Sequence, residues 1–135
     1  MPLMTWNKNL EVGVRSMDQQ HRKLVDLINA LHEAMLEGKA NEILGPVLED
    51  LLRYTATHFK DEEALMTRAG YAGRDPHVAE HRALIAEVRK MQDGVRSGKL
   101  AISVSVAQFL RDWLQNHILK TDQQYSSAMI AKGIQ

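Results

Sequence analysis

The stretch His58-Phe-Lys-Asp-Glu62-Glu-Ala-Leu-Met66 decides how this sequence folds. It sets an imidazole and a carboxylate four residues apart inside a longer stripe of Leu44, Val47, Leu51, Tyr54, His58, Glu62, Leu65 and Ala69. Steps of three and four residues are the period of an α-helix with one face turned to a core. On such a helix an i, i+4 pair is rotated by about 40° and separated by about 6 Å, so both side chains can reach the same metal or metal pair. Imidazole and carboxylate are what a protein offers a first-row transition metal.

The same period recurs on both sides of this helix. Ser16-Met-Asp-Gln19 reads as a capping box opening a first helix, whose stripe is Met17, His21, Leu24, Val25, Ile28, Leu31 and Met35, closed by Gly38. The second helix starts between Asn41 and Pro46, because proline is tolerated only in a first turn. After a turn at Gly70-Tyr-Ala-Gly-Arg-Asp75, Asp75 reads as the cap of a third helix with Pro76 at its first position. That helix turns His77, His81, Leu84, Val88, Met91 and Val95 inward, and Gly94 and Gly98 mark its end. Ser103 or Ser105 can cap a fourth, whose inner face carries Val106, Leu110, Trp113, His117, Gln124 and Ala128 before Gly133 ends it. Ala101-Ile-Ser-Val-Ser-Val106 alternates like a strand, but it is short and runs into this helix. Helices at about 17–37, 42–69, 76–96 and 104–131 with short links predict an all-α, antiparallel up-down-up-down four-helix bundle. Residues 1–15 read as an irregular arm that packs across the bundle through Trp6, Leu10, Val12 and Val14.

Bulk composition narrows the function. A chain of 135 residues fits one domain. Lys plus Arg equals Asp plus Glu at 17 each, which argues against a nucleic acid or anionic membrane held by bulk electrostatics. Cysteine is absent, so disulfides, iron–sulfur clusters and thiolate-bound zinc are excluded, and any metal must be held by nitrogen and oxygen. Met-Pro-Leu-Met-Thr-Trp lacks a signal-peptide pattern, and no apolar run approaches the ~18 residues that span a membrane. A soluble, cytoplasmic protein is the expectation.

Five of the six histidines sit on these inner stripes: His21, His58, His77, His81 and His117. With Glu62 and Asp122 they spread over four helices and point to a two-metal site inside the bundle. A hydrogen-bonded core histidine is the plainer reading of any one of them. For all five together that reading fails, because burying so many imidazoles and carboxylates without a cation is costly. Asp122 is the odd member. Its five-residue step from His117 rotates about 140° in a regular helix and would swing it off the inner face. A π-type widening of one turn would bring it back, so a distortion between His117 and Asp122 is predicted. His32 lies about 16 Å along the helix from His21 and is read as a structural or partly exposed histidine. Asp61 and Glu63 point away from the stripe and are expected in solvent. Tyr54 and Tyr125 are expected at the core boundary rather than as hydrogen-bond donors behind the ligands.

On these residues the sequence resembles the hemerythrins, specifically their single-domain bacterial members. The motifs are Asp18-Gln-Gln-His21, His58-Phe-Lys-Asp-Glu62-Glu-Ala-Leu-Met66, His77-Val-Ala-Glu-His81 and Trp113-Leu-Gln-Asn-His117-Ile-Leu-Lys-Thr-Asp122. The resemblance implies a non-haem di-iron site that binds dioxygen reversibly. One iron would take His77, His81 and His117, and the other His21 and His58. Glu62, Asp122 and an oxo or hydroxo group would bridge the two irons. The iron with only two histidines keeps an open position, where a ligand binds. Leu24, Phe59, Trp113, Leu114 and Ile118 match the family's apolar pocket around it.

An oxygen carrier, store or sensor is therefore expected, not an enzyme, with dioxygen as ligand and a monomer as the assembly. The alternative is a di-iron oxidase or peroxidase acting on oxygen, nitric oxide or ferrous iron. Carboxylate-rich di-iron enzymes use Glu-x-x-His motifs, and none occurs at these ligand positions. A third reading is a module holding zinc or another divalent metal without redox chemistry.

Overall fold

The computed structural model describes residues 2–38, 41–98 and 104–135. Helix α1 runs Arg15–Leu36, α2 Asn41–Ala69, α3 Arg74–Arg96 and α4 Val104–Asn116. The fourth rod then continues through a π-helical turn, His117–Thr121, a 3₁₀ turn, Asp122–Tyr125, and a short α5, Ser126–Ala131. The result is the expected all-α bundle, in which α1 packs on α2 and α4, and α2 packs on α3. Among the described residues no helix is long and apolar enough to cross a membrane.

The helix starts differ from those the sequence suggested. Val14 caps α1 without a side-chain bond. Asp18 instead reaches back to accept from the backbone N–H of Val12 at 2.7 Å and of Gly13 at 3.3 Å. The acidic group still meets free donors, but those of the arm rather than of the helix. Gly13 makes the turn into α1 with φ +82°, a left-handed conformation that a side chain would strain. Helix α3 begins two residues earlier than expected, with Gly73 as cap, so Asp75 and Pro76 lie inside its first turn. Pro46 sits on the sixth residue of α2 rather than in its first turn, and one internal hydrogen bond is missing there. Ser105 lies inside α4 and does not cap it, while Ser103 and 101–103 of the strand-like run fall outside the described residues.

The core is apolar at one end of the bundle and polar at the other. Leu24, Ile28, Leu31, Leu48, Leu51, Val88, Val106 and Leu110 fill the apolar end. The stripe of α2 is wider than predicted: Leu48, Leu52, Thr55, Phe59 and Met66 are buried, whereas Val47, Tyr54 and Leu65 are half-buried. The arm runs from beside Asn29 on α1 to the polar end. Met4 and Asn29 exchange two hydrogen bonds at 2.9 and 2.8 Å, Leu10, Val12 and Val14 are buried, and Trp6 is half-buried under Arg22. Gln123 donates to Asn9 and Glu11, and Ser126 to Val12, so the arm is tied to the far end of the fourth rod.

Candidate metal centre

Each helix of the bundle delivers its share of seven side chains to one buried point. His21 comes from α1, His58 and Glu62 from α2, His77 and His81 from α3, His117 and Asp122 from the fourth rod, and all seven are at most 4% exposed. Between His117 and Asp122 the predicted distortion is present as the π-helical turn. Its extra residue swings Asp122 onto the inner face and shifts the register of everything after it. Tyr125 and Met129 are therefore wholly buried, while Gln124, placed inside by an unbroken period, is exposed, and Ala128 is only half-buried.

The seven side chains form two groups that could each hold a cation. His77, His81 and His117 gather with Glu62 and Asp122, and His21 and His58 gather with Glu62. Both carboxylates divide their oxygens between the groups. Glu62 Oε1 lies 3.2 Å from His77 Nε2 and 3.0 Å from His81 Nε2, whereas its Oε2 lies 3.3 Å from His21 Nε2 and 3.4 Å from His58 Nε2. Asp122 Oδ1 lies 2.9 Å from His77 Nε2 and 3.0 Å from His117 Nε2, and its Oδ2 lies 3.1 Å from His21 Nε2.

The donors suit a cation better than they suit one another. His58 Nδ1 donates to Gln20 Oε1 at 2.6 Å, His81 Nδ1 to Glu63 Oε2 at 2.9 Å, and His117 Nδ1 to Glu80 Oε1 at 3.3 Å. With Nδ1 committed outward, each neutral ring turns a lone pair inward on Nε2. Yet His81 Nε2 and His117 Nε2, both on rings held in this way, stand 3.1 Å apart. Lone pairs at that distance repel unless something positive lies between them. Among the described residues neither oxygen of Asp122 is met by a donor in hydrogen-bond geometry. Buried, unpaired anionic oxygens beside convergent imidazoles are what metal ligands look like without the metal's charge.

Without a cation, protons would have to supply the positive charge. Burial lowers the pKa of His21, but Asp122 and Glu62 overcome it and push it up to about 10. His77 is raised to about 9 by the same two carboxylates, again against burial. In His58 burial prevails over Glu62 and the pKa is lowered. Burial would raise both carboxylates, and the surrounding imidazoles instead hold Asp122 and Glu62 well below the ordinary range.

The family model described as the hemerythrin HHE cation binding domain matches residues 12–128. The chain belongs to the hemerythrin family. It is 36% identical over 132 residues to a bacteriohemerythrin of Methylococcus capsulatus, covering 97% of this chain and 100% of that one. It is 34% identical to a bacteriohemerythrin of Stenotrophomonas maltophilia, covering 97% and 84%. A solved wild-type hemerythrin superposes with a TM-score of 0.89 at 34% identity, covering 94% of this chain and 98% of that one.

In this hemerythrin-family chain several supporting residues escape the helical stripe. Gln20, Glu63 and Glu80 each flank an inner-face residue in sequence, and each backs the histidine of the next helix around the bundle. Glu63 is thus no solvated acid, whereas Asp61 stays at the surface and accepts from Gln20 Nε2 at 3.0 Å. Tyr125 is not a boundary tyrosine either: its hydroxyl donates to Glu62 Oε2 at 2.8 Å, and its ring stacks on His77. Phe59 stacks on His81 with centroids 3.7 Å apart, and Trp113 on His117 at 4.3 Å. Tyr54 and His32 are half-buried away from the group. The sequence signal for the backing residues was adjacency: a residue next to a ligand lies about 100° off the inner face, the angle that reaches behind a neighbouring helix's ring.

Below the centre lies a cavity of about 30 Å³, lined by Leu24, Phe59, Trp113 and Leu114 of the expected pocket, together with Ile28, Leu51, Thr55, Leu84 and Leu110. Ile118 is fully buried but lies outside this lining.

Proposed function

We propose that this chain binds dioxygen reversibly at a non-haem di-iron centre. His77, His81 and His117 would hold one iron, His21 and His58 the other, and Glu62 and Asp122 would span both. The observation that carries this reading is the division of each carboxylate's two oxygens between a three-histidine and a two-histidine group. Ferrous iron, when bound there, would supply the electrons that hold dioxygen.

The protein's own residues do the rest. Gln20, Glu63 and Glu80 fix ring orientation by holding Nδ1–H, and Phe59, Trp113 and Tyr125 clamp three rings by stacking. The adjoining cavity of about 30 Å³ is larger than the ~10–15 Å³ that holds one water, so a diatomic molecule fits. Its apolar walls exclude water and suit an uncharged ligand.

The same cavity favours binding over turnover. Among the described residues Thr55 is its one polar lining residue, and the Thr55 hydroxyl already donates to the Leu51 carbonyl at 2.7 Å. No acid or base among the described residues lines the space to deliver a proton or orient a second substrate. The test is gas uptake by the ferrous-loaded protein. Wild type should take up dioxygen and return it under vacuum, and His58→Ala should do neither. Unchanged uptake by His58→Ala would sink the ligand assignment, and irreversible consumption by wild type would favour the oxidase.

A further inference from the structure

The outer nitrogens of the five rings are not treated alike. Behind the three-histidine group stand two carboxylates: Glu63 accepts from His81 Nδ1 at 2.9 Å, and Glu80 from His117 Nδ1 at 3.3 Å. Behind the two-histidine group, among the described residues, stands only a neutral amide, Gln20, whose Oε1 accepts from His58 Nδ1 at 2.6 Å. Its orientation is set on the other side, where Gln20 Nε2 donates to Asp61. Among the described residues each group also has one ring whose buried Nδ1 meets no partner, His21 in the two-histidine group and His77 in the three-histidine group. The asymmetry is anchored in the backbone as well. The Thr121 hydroxyl, on the π-helical turn, lies 3.2 Å from both oxygens of Glu80 and holds that carboxylate beside His117.

A carboxylate accepting from the back of an imidazole raises the basicity of the ring's other nitrogen and strengthens its hold on a cation. A neutral amide orients the ring with little of that electronic effect. The effect is felt most where water is excluded, and the Glu63 side chain is only 23% exposed against 49% for Glu80. Glu63 is therefore the stronger of the two.

We infer that the two cation positions are unequal by construction: the His77, His81 and His117 position fills first and holds its ion more tightly, with Glu63 and Glu80 as the positioning residues that make it so. This rests on the two-cation reading above. It concerns the order and strength of loading rather than what the loaded centre binds.

The test is calorimetric titration of the metal-free full-length chain with Co²⁺, followed in parallel by the visible spectrum of the bound ion. Wild type should show a tight step followed by a weaker one. His58→Ala should keep the tight step and lose the weak one. Glu63→Gln keeps the shape and the acceptor but removes the charge, and it should weaken the tight step by about 10- to 100-fold while leaving the weak step unchanged. The double variant Gln20→Glu, Asp61→Asn moves a charge behind His58 without setting two carboxylates side by side, and it should tighten the weak step by a similar factor. Two equal steps in wild type, or a Glu63→Gln chain that weakens both steps alike or neither, would overturn the inference. Binding of fewer than two ions by wild type would overturn the two-cation reading itself, and the inference with it.

Discussion

Tyr125 ties the centre to the end of the fourth rod. Its hydroxyl donates to Glu62 Oε2 at 2.8 Å in a fully buried setting, and burial together with the Glu62 and Asp122 charges pushes its own pKa well above the ordinary value. It therefore stays a donor at every physiological pH. A hydrogen bond to a charged acceptor contributes about 1.5–3 kcal/mol. Tyr125→Phe should lose that much stability in the metal-free protein, read as a lower urea midpoint with an unchanged slope. A variant as stable as wild type would show that Glu62 does not depend on this donor. Asp18 supplies a second case at this scale. Asp18→Ala leaves the N–H groups of Val12 and Gly13 without their acceptor and should loosen the arm, measured as faster amide exchange at those two positions.

The π-helical turn is the element that separates a bundle from a bundle with a centre. Its five residues, His117–Thr121, add one position to the inner-face period, so Asp122, Tyr125 and Met129 face inward. Deleting Leu119, a surface residue 36% exposed, should turn His117 and Asp122 into a regular i, i+4 pair and keep the downstream register. Circular dichroism should then show retained helix and a thermal midpoint near that of wild type. Inserting one alanine at the same place should rotate Asp122, Tyr125 and Met129 off the inner face and lower the midpoint sharply. Equal behaviour of the two variants would contradict the register assignment. This turn also marks the limit of what the sequence discloses. Four stripes and the convergence of seven side chains were legible because helical periodicity depends on spacing alone. The need for a bulge was legible because Asp122 broke that spacing. What followed the bulge was not, since an unbroken period carried Gln124 and Ala128 inward in place of Tyr125 and Met129. Glu63, Glu80 and Gln20 were missed for a related reason: a single-helix stripe says nothing about what reaches across from the neighbouring helix.

At the scale of the whole molecule the centre couples folding, protonation and metal. In the metal-free protein His21 and His77 are raised to about 10 and about 9, above the ordinary histidine value of 6.5. Groups raised on folding contribute stability that is fully present below 6.5 and is lost as pH climbs through those folded values. Asp122 and Glu62 are depressed, so their contribution is present above the ordinary carboxylate range and is lost as pH falls through it. His58, lowered by burial, adds to the loss in acid, because unfolding lets it charge. Thermal melts of the metal-free chain should therefore peak between the ordinary carboxylate range and the ordinary histidine value of 6.5, and decline on both sides. Cation binding needs neutral rings, so loading near neutral pH should release about two protons per chain, from His21 and His77. Titrations in buffers of different ionisation enthalpy measure that release, and none would contradict the protonated resting state.

The optical spectrum of the iron-loaded chain through one oxygen cycle addresses the central claim most directly. Ferrous protein prepared without oxygen should be nearly colourless, develop a charge-transfer band when oxygen is admitted, and lose that band when oxygen is swept out with argon, repeatedly and without loss of iron. A band that appears once and persists under argon, or no band at all beside a tightly bound iron pair, would contradict reversible dioxygen binding at this centre.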